Sequence, residues 1–302
     1  MFRKNLRRFT IVQNMNPIYK WLKPFSSILG IFPKEVFALR LQKDLGRRIN
    51  RKKPKTLYDK IFWLSFNTDT TLWSKLADKY AVREFVAERC SFEILTDLYG
   101  VYDSISEIDY SLLPNKFVIK TNNGCASNFL IKDKFSVDLN AINKELKFWL
   151  DFPYGKLTGQ KHYTKIPPKI IAEEYLFQNK EPDSTLIDYK FFCFHGEPKY
   201  CEVISNRTFG THVCNKMIYD MEWNAMPQCF KKDYQYAFVD KPVTFKDMIS
   251  IAKILSKDFK FVRVDLYEVN EKVKFGELTF TPTMSSFSEE FQIKLGDFIN
   301  LQ

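Results

Sequence analysis

The sequence predicts an α+β fold: a helical N-terminal third, then antiparallel strands with interspersed helices. Three observations carry that expectation. Helical spacing of apolar residues dominates before Pro114, and short alternating runs dominate after it. A hairpin pattern occupies residues 261–282, FVRVDLYEVNEKVKFGELTFTP, in which Val262, Val264 and Leu266 alternate with Arg263, Asp265 and Tyr267. Composition agrees, since 29 Phe and 15 Tyr against 10 Gly suit an aromatic-packed, sheet-rich interior.

At 302 residues, 45% hydrophobic and 27% charged, the chain has material for more than one domain. Its net charge of +10 is concentrated, because residues 1–60 hold 16 Lys/Arg against 3 Asp/Glu and the rest of the chain is at −3. Such a segment suits anionic partners such as lipid headgroups or an acidic glycan. No zinc spacing, RNP-like strand or recognition-helix pattern accompanies it, so nucleic acid is not an expected partner. The six cysteines form no CxxC, and Cys193 and Cys201 lie in apolar runs that suit a reducing cytoplasm. No apolar run approaches the ~18 residues of a membrane span. Residues 1–21 lack the apolar core and cleavage site of a signal peptide.

In chain order, residues 1–33 are basic and aromatic, with Arg3, Lys4, Arg7 and Arg8 followed by Trp21 and Phe25. They read either as a membrane-surface segment or as an arm packed on the body. Helices are expected over 34–48, 57–65 and 71–90, the last containing ADKYAVREFV. Past Pro114 come a strand (116–120), a small-residue loop (TNNGCASN) and a second strand (129–131). A helix is expected over 139–151, an irregular stretch over 154–168 and a strand over 169–176. Strands follow over 188–194, 199–205 and 216–219, then a helix over 244–257, the hairpin, and a helix over 289–301.

Several stretches carry chemistry. Pairing Asp265 with Glu277 across a three-residue turn puts Arg263, Asp265, Glu277 and Thr279 on one face, a seat for Mg²⁺ and phosphate oxygens or a solvated salt-bridged surface. KFVIKTNNGCASN places Lys120 before a loop whose small residues let backbone N–H groups approach phosphate, although Asn-Asn-Gly is also ordinary turn chemistry. IIAEEYL sets Glu173 and Glu174 after a buried strand, where acids can meet an exocyclic amine or ribose hydroxyls. In DYKFFCF, Lys190 lies on a face that looks buried and needs an anionic partner, which Asp188 at i−2 supplies only in part. Walker A, G-x-S-x-G and metal-ligand His/Cys spacings are all missing.

Taken in order, ADKYAVREFV, KFVIKTNNG, IIAEEYL, DYKFFCFHGEPKY and the hairpin resemble the TupA-like ATP-grasp family of cell-surface polysaccharide (teichuronopeptide) biosynthesis, from about Pro54 to the C-terminus. The resemblance implies two α+β lobes holding ATP between them, with a helical N-terminal region. It divides the chain into a basic arm (1–53), a helical subdomain (54–113), a small lobe (114–176) and a large lobe (177–302). It implies ATP and Mg²⁺ as cofactors, with Lys120 on the α- and β-phosphates and Asn123, Gly124 and Ser127 in the loop above them. Glu173, Glu174, Tyr175 and Leu176 match the adenine hinge, and Asp188 and Lys190 match ribose and phosphate contacts. Arg263 steadies the transferring phosphoryl group, and Asp265, Glu277 and Thr279 hold metal. Two places depart from the family pattern: E-x-N becomes Glu277-Leu278-Thr279, and a Gly-containing turn becomes Thr283-Met284-Ser285-Ser286. The implied activity is ligation of an amine or amino acid to a uronic-acid carboxylate through an acyl phosphate, in capsule, O-antigen or teichuronopeptide synthesis. The implied partners are an acidic glycan or lipid-linked saccharide and an anionic membrane surface on the cytoplasmic side. A polysaccharide glycosyltransferase, a sugar or carboxylate kinase of the same fold, and a non-catalytic nucleotide-binding scaffold stay open as alternatives.

Overall fold

The computed structural model of the chain describes residues 10–12, 21–177, 186–208, 213–232 and 234–301. Arg3, Lys4, Arg7 and Arg8 therefore lie outside the described residues. Among the described residues, ten strands form two antiparallel five-stranded sheets. The first contains β1 (Thr10–Val12), β2 (Leu98–Tyr102), β3 (Phe117–Thr121), β4 (Asn128–Ile131) and β5 (Ile170–Glu174) in the order β1-β4-β3-β5-β2. The second contains β6 (Asp188–Phe194), β7 (Glu197–Ser205), β8 (Asn215–Tyr219), β9 (Phe261–Val269) and β10 (Lys272–Thr279) in the order β10-β9-β6-β7-β8.

Each sheet has its own core. Ile119, Phe129, Ile170 and Ala172 of the first pack with Ile142, Leu146 and Trp149 of the helix Leu139–Leu150. Phe191, Cys193, Val262 and Val264 of the second pack with Met248, Ala252 and Leu255 of the helix Phe245–Ser256. The helices Pro33–Leu45, Leu57–Asn67, Thr71–Ala77 and Val82–Arg89 join this second core, as does Glu289–Asp297 near the C-terminus. Leu57–Asn67 starts at a capping box in which the Thr56 hydroxyl accepts from Asp59 N at 3.2 Å and Asp59 accepts from Thr56 N at 3.1 Å. The closeness of Glu289–Asp297 to this start requires Gly296, where a Cβ would stand 2.0 Å from the Lys55 carbonyl oxygen.

Three local expectations are corrected. The helix expected over 71–90 is two helices, Thr71–Ala77 and Val82–Arg89. The Asp78 carboxylate ends the first by accepting from Tyr80 N at 2.8 Å and Ala81 N at 3.3 Å, as Asp side chains do when they compete with helix hydrogen bonds. The stretch 154–168 is not wholly irregular, since Tyr154–Thr158 is a short helix ended by Gly159 at φ 68°. The hairpin turn contains two residues rather than three: Val269 pairs with Lys272, and Asn270 and Glu271 take φ of 52° and 58°, the backbone of a type I′ turn. Asp265 nevertheless faces Glu277, because a bulge at Gly276 shifts the register by one residue. A side chain at Gly276 would meet the Asp265 carbonyl and the Tyr267 ring at 3.0 Å.

Sequence reading also missed β2, which comes from within 54–113 yet pairs with β5 in the first sheet. Among the described residues no helix is long and apolar enough to cross a membrane.

Candidate active site

β6 lies between β9 and β7 and is buried along its whole length, so its two charged residues must find partners within the fold. Register supplies them. Lys190 of β6 pairs with Asp265 of β9, which in turn faces Glu277 of β10, so three adjacent strands present one charge each in a row. The Lys190 ammonium donates to Asp265 Oδ2, and Asp188 stands 3.7 Å away. Arg263 forks onto the same carboxylate, Nε to Oδ1 and Nη2 to Oδ2, both at 2.6 Å. Its Nη2 also reaches Glu277 Oε1 and Thr279 Oγ1 at 3.1 Å, and the Thr279 hydroxyl donates to Glu277 at 3.0 Å. The four residues that sequence placed on one face are thus one hydrogen-bonded cluster.

The first sheet supplies cations to the other side of the cleft. Lys120, at the end of β3, pairs with Glu173 of β5, whose second oxygen accepts from the Thr96 hydroxyl at 3.3 Å. Lys120 and Glu173 line a pocket together with Arg83, Glu174, Leu176, Tyr267 and Phe275. Lys120 also lines a second pocket with Ser127, Asp188, Lys190, Asp265 and Glu277. The two pockets share Lys79, Lys120, Asn128, Tyr267 and Gly276, so they are one continuous cleft.

The loop between β3 and β4 is a hairpin connection with Ala126 at φ 56°, closed by the Thr121 hydroxyl donating to Ser127 Oγ at 2.8 Å. It is a turn and a cleft wall at once: Cys125, Ala126 and Ser127 line the second pocket. Asn123 and Gly124 line neither pocket; Asn123 is buried, and Gly124 presents its carbonyl to Lys79. Leu176 reaches the cleft, whereas Tyr175 beside it lines neither pocket. Asp188 is held by Arg207, and Tyr267 hydrogen-bonds to it as well, so a ribose contact at Asp188 would be shared with both.

Lys79, Arg83, Asn128 and Arg207 were not anticipated. Lys79 lies in ADKYAVREFV, whose helical spacing reads as one continuous helix and gives no sign of a break. The helix break at Asp78 carries it into the cleft. Burial pushes the Lys79 ammonium below its ordinary pKa and Lys120 adds to that, while Glu277 pulls the other way. Asn128 Oδ1 is buried at the cleft without a hydrogen-bond partner. Arg207 follows β7 with no pattern around it, and nothing in the sequence marks it.

Electrostatics favour a charged Glu277. Burial opposes its charge, but Arg263, Lys190 and Lys79 outweigh burial and hold its pKa down at about 2. A depressed carboxyl contributes stability that is present above its unfolded pKa, 4.5, and lost as pH falls through the folded value. Unfolding free energies of the wild type and Glu277→Gln should therefore converge between pH 4.5 and about 2, as read by urea denaturation. A constant difference across that window would show that Glu277 is not held charged by these cations.

Among the described residues no group of three or more His, Cys, Asp or Glu is arranged to hold a metal. Asp265, Glu277 and the Thr279 hydroxyl form an all-oxygen set with two carboxylates. That fits Mg²⁺, which takes one or two protein carboxylates and completes its shell with phosphate oxygens and water.

Two sheet-based lobes facing each other across a cleft, with lysines from both and an Arg–Asp–Glu cluster from one, have the architecture of the ATP-grasp class. The chain belongs to the TupA-like ATP-grasp family, whose profile matches residues 59–300. No functionally curated protein in the comparison matches the sequence. Among solved structures, D-alanine–D-alanine ligase from Bacillus anthracis, complexed with ATP, is 13% identical with a TM-score of 0.46 over 74% of this chain and 65% of that one. The ATP-grasp ligase PsnB with its minimal precursor is 8% identical with a TM-score of 0.42, over 80% and 66%. D-Alanine–D-alanine ligase from Helicobacter pylori is 14% identical with a TM-score of 0.40, over 80% and 68%. The chain spans just under two thirds of the first two structures.

Proposed function

We propose that the protein is an ATP- and Mg²⁺-dependent carboxylate–amine ligase. It joins an amine or amino acid to a uronic-acid carboxylate on an acidic glycan or lipid-linked saccharide, in the building of a capsule, O-antigen or teichuronopeptide. One observation carries this reading: Arg263, Asp265, Glu277 and Lys190 form a single cluster that shares a cleft with Lys120 of the opposite sheet and with Lys79 from the break between the helices Thr71–Ala77 and Val82–Arg89. ATP supplies the phosphoryl group that activates the carboxylate as an acyl phosphate, with Mg²⁺ offsetting the negative charge.

The chain's own residues do the rest. Lys120 and Lys79 attract the phosphates from one wall of the cleft, and Lys190 and Arg263 attract them from the other. Asp265 and Glu277, with the Thr279 hydroxyl, hold the metal. Glu277 is ready for this at neutral pH because its neighbours keep it ionised. Glu173, Glu174 and Leu176 form the base end of the cleft, and Asp188 and Tyr267 lie between that end and the reacting end. Ser127 and its loop cover the phosphates and exclude water from the acyl phosphate, with Asn123 and Gly124 as the loop's buried support. The Arg263 guanidinium bridges Asp265 and Glu277, which orients both acids and keeps a cation beside the place where the phosphoryl group would lie. The reading places the enzyme in the cytoplasm, meeting its acceptor at the inner face of the membrane.

The test is nucleotide turnover with ATP, Mg²⁺, a uronic-acid acceptor and pooled amines. ADP and phosphate released only when acceptor and amine are both present is the expected result. ADP formed with the acceptor alone, yielding a stable phosphorylated product, would make the protein a kinase. Release of UDP from a sugar nucleotide would make it a glycosyltransferase.

A further inference from the structure

Residues 21–32 have two apolar sides, of which the body uses one. Leu22 and Leu29, seven residues apart, pack against the core of the first sheet, and the Lys23 ammonium lies 4.9 Å from the centre of the Phe148 ring. Trp21, Phe25, Ile28 and Phe32 recur at spacings of four, three and four. They are 81%, 55%, 59% and 54% exposed, and Ile31 beside them is 69% exposed. Apolar side chains gain by leaving water, so a row of them left bare marks a contact surface.

Charge identifies the partner. Residues 1–60 carry 16 Lys/Arg against 3 Asp/Glu, and Lys34, Lys43, Arg48, Arg51, Lys52 and Lys53 are exposed. A two-fold contact between copies of this chain would bring two such regions together, and their repulsion works against it. An anionic lipid surface instead attracts every one of those charges and accepts Trp, Phe and Ile at its headgroup boundary. We propose that the Trp21–Phe25–Ile28–Phe32 row seats the protein on an anionic membrane surface, with exposed basic residues such as Lys34, Lys43 and Lys52 on the headgroups. Leu22 and Leu29 then tie the first sheet, and with it the Lys120 wall of the cleft, to that surface. This proposal stands on exposure and charge and does not depend on the ligase reading.

The test is cosedimentation of the full chain with phosphatidylcholine vesicles, with and without phosphatidylglycerol. Binding should be stronger to the anionic vesicles by about tenfold or more and should weaken as salt is raised. The triple variant Trp21→Ser, Phe25→Ser, Ile28→Ser should lose about tenfold or more of that binding, with an unchanged circular dichroism spectrum and unfolding temperature. Its ATP turnover on a soluble acceptor should equal that of the wild type, which separates this test from that of the ligase activity. Equal binding to neutral and anionic vesicles, or binding that the triple variant retains, would overturn the proposal. So would a wild-type dimer in sedimentation velocity that the triple variant abolishes, since the row would then be covered by a second copy.

Discussion

Asp265→Asn should abolish ADP formation while the protein remains folded. Asp265 is 1% exposed and accepts two hydrogen bonds from Arg263 and one from Lys190. Asparagine keeps its shape but removes the charge that balances two buried cations and, in the proposed reaction, holds the metal. The remaining counter-charges are Glu277 at 3.1 Å from Arg263 and Asp188 at 3.7 Å from Lys190. Breaking a buried pair costs about 3–5 kcal/mol in general, so the unfolding temperature should fall. Turnover is therefore to be measured at a temperature where the variant's circular dichroism is native. A loss of about a thousandfold or more, equivalent to roughly 4 kcal/mol of transition-state stabilisation, is expected there. Undiminished turnover in a folded variant would remove Asp265 from the metal site.

Lys79→Met has a different signature: nucleotide binding should weaken while stability changes little. The Lys79 side chain is half-buried in the cleft, Glu277 favours its charge and Lys120 disfavours it, and its hydrogen bond goes to a neutral carbonyl, that of Gly124. Methionine has similar length, fills the space and needs no counter-charge, so the folded protein loses one hydrogen bond and a desolvated cation together. ATP loses a charge-assisted contact, and its dissociation constant should rise about tenfold or more by calorimetry. Unchanged affinity would show that Lys79 only ties down the Gly124 loop, and the unfolding temperature should then drop. The two variants together separate a group that serves the phosphates from one that organises the acid cluster.

The Arg263–Asp265–Glu277–Thr279 cluster was legible because alternation in a strand is a strict rule. Arg263, Asp265 and Tyr267 had to share a face, and pairing Asp265 with Glu277 completed the set. A tighter turn and a bulge at Gly276 replace the three-residue turn and arrive at the same partners. Lys190 was equally readable: a lysine in an otherwise apolar run needs an acid. Which acid was not readable, because the answer lies in the order β10-β9-β6, and strand order depends on how distant segments pack.

Sequence by itself determined most of the elements, the family and the residue types on the cleft face of the hairpin, since these follow from local periodicity and from motifs in order. Tertiary structure alone decided what meets across the cleft. It broke the helix at Asp78 and so brought Lys79 beside Gly124, and it recruited β2 and Arg207 from stretches without a pattern. It also left Trp21, Phe25, Ile28 and Phe32 bare while covering Leu22 and Leu29. Periodicity can say that a segment has an apolar side. Only the packed fold settles whether that side is already covered, because covering depends on the neighbours that long-range contacts bring.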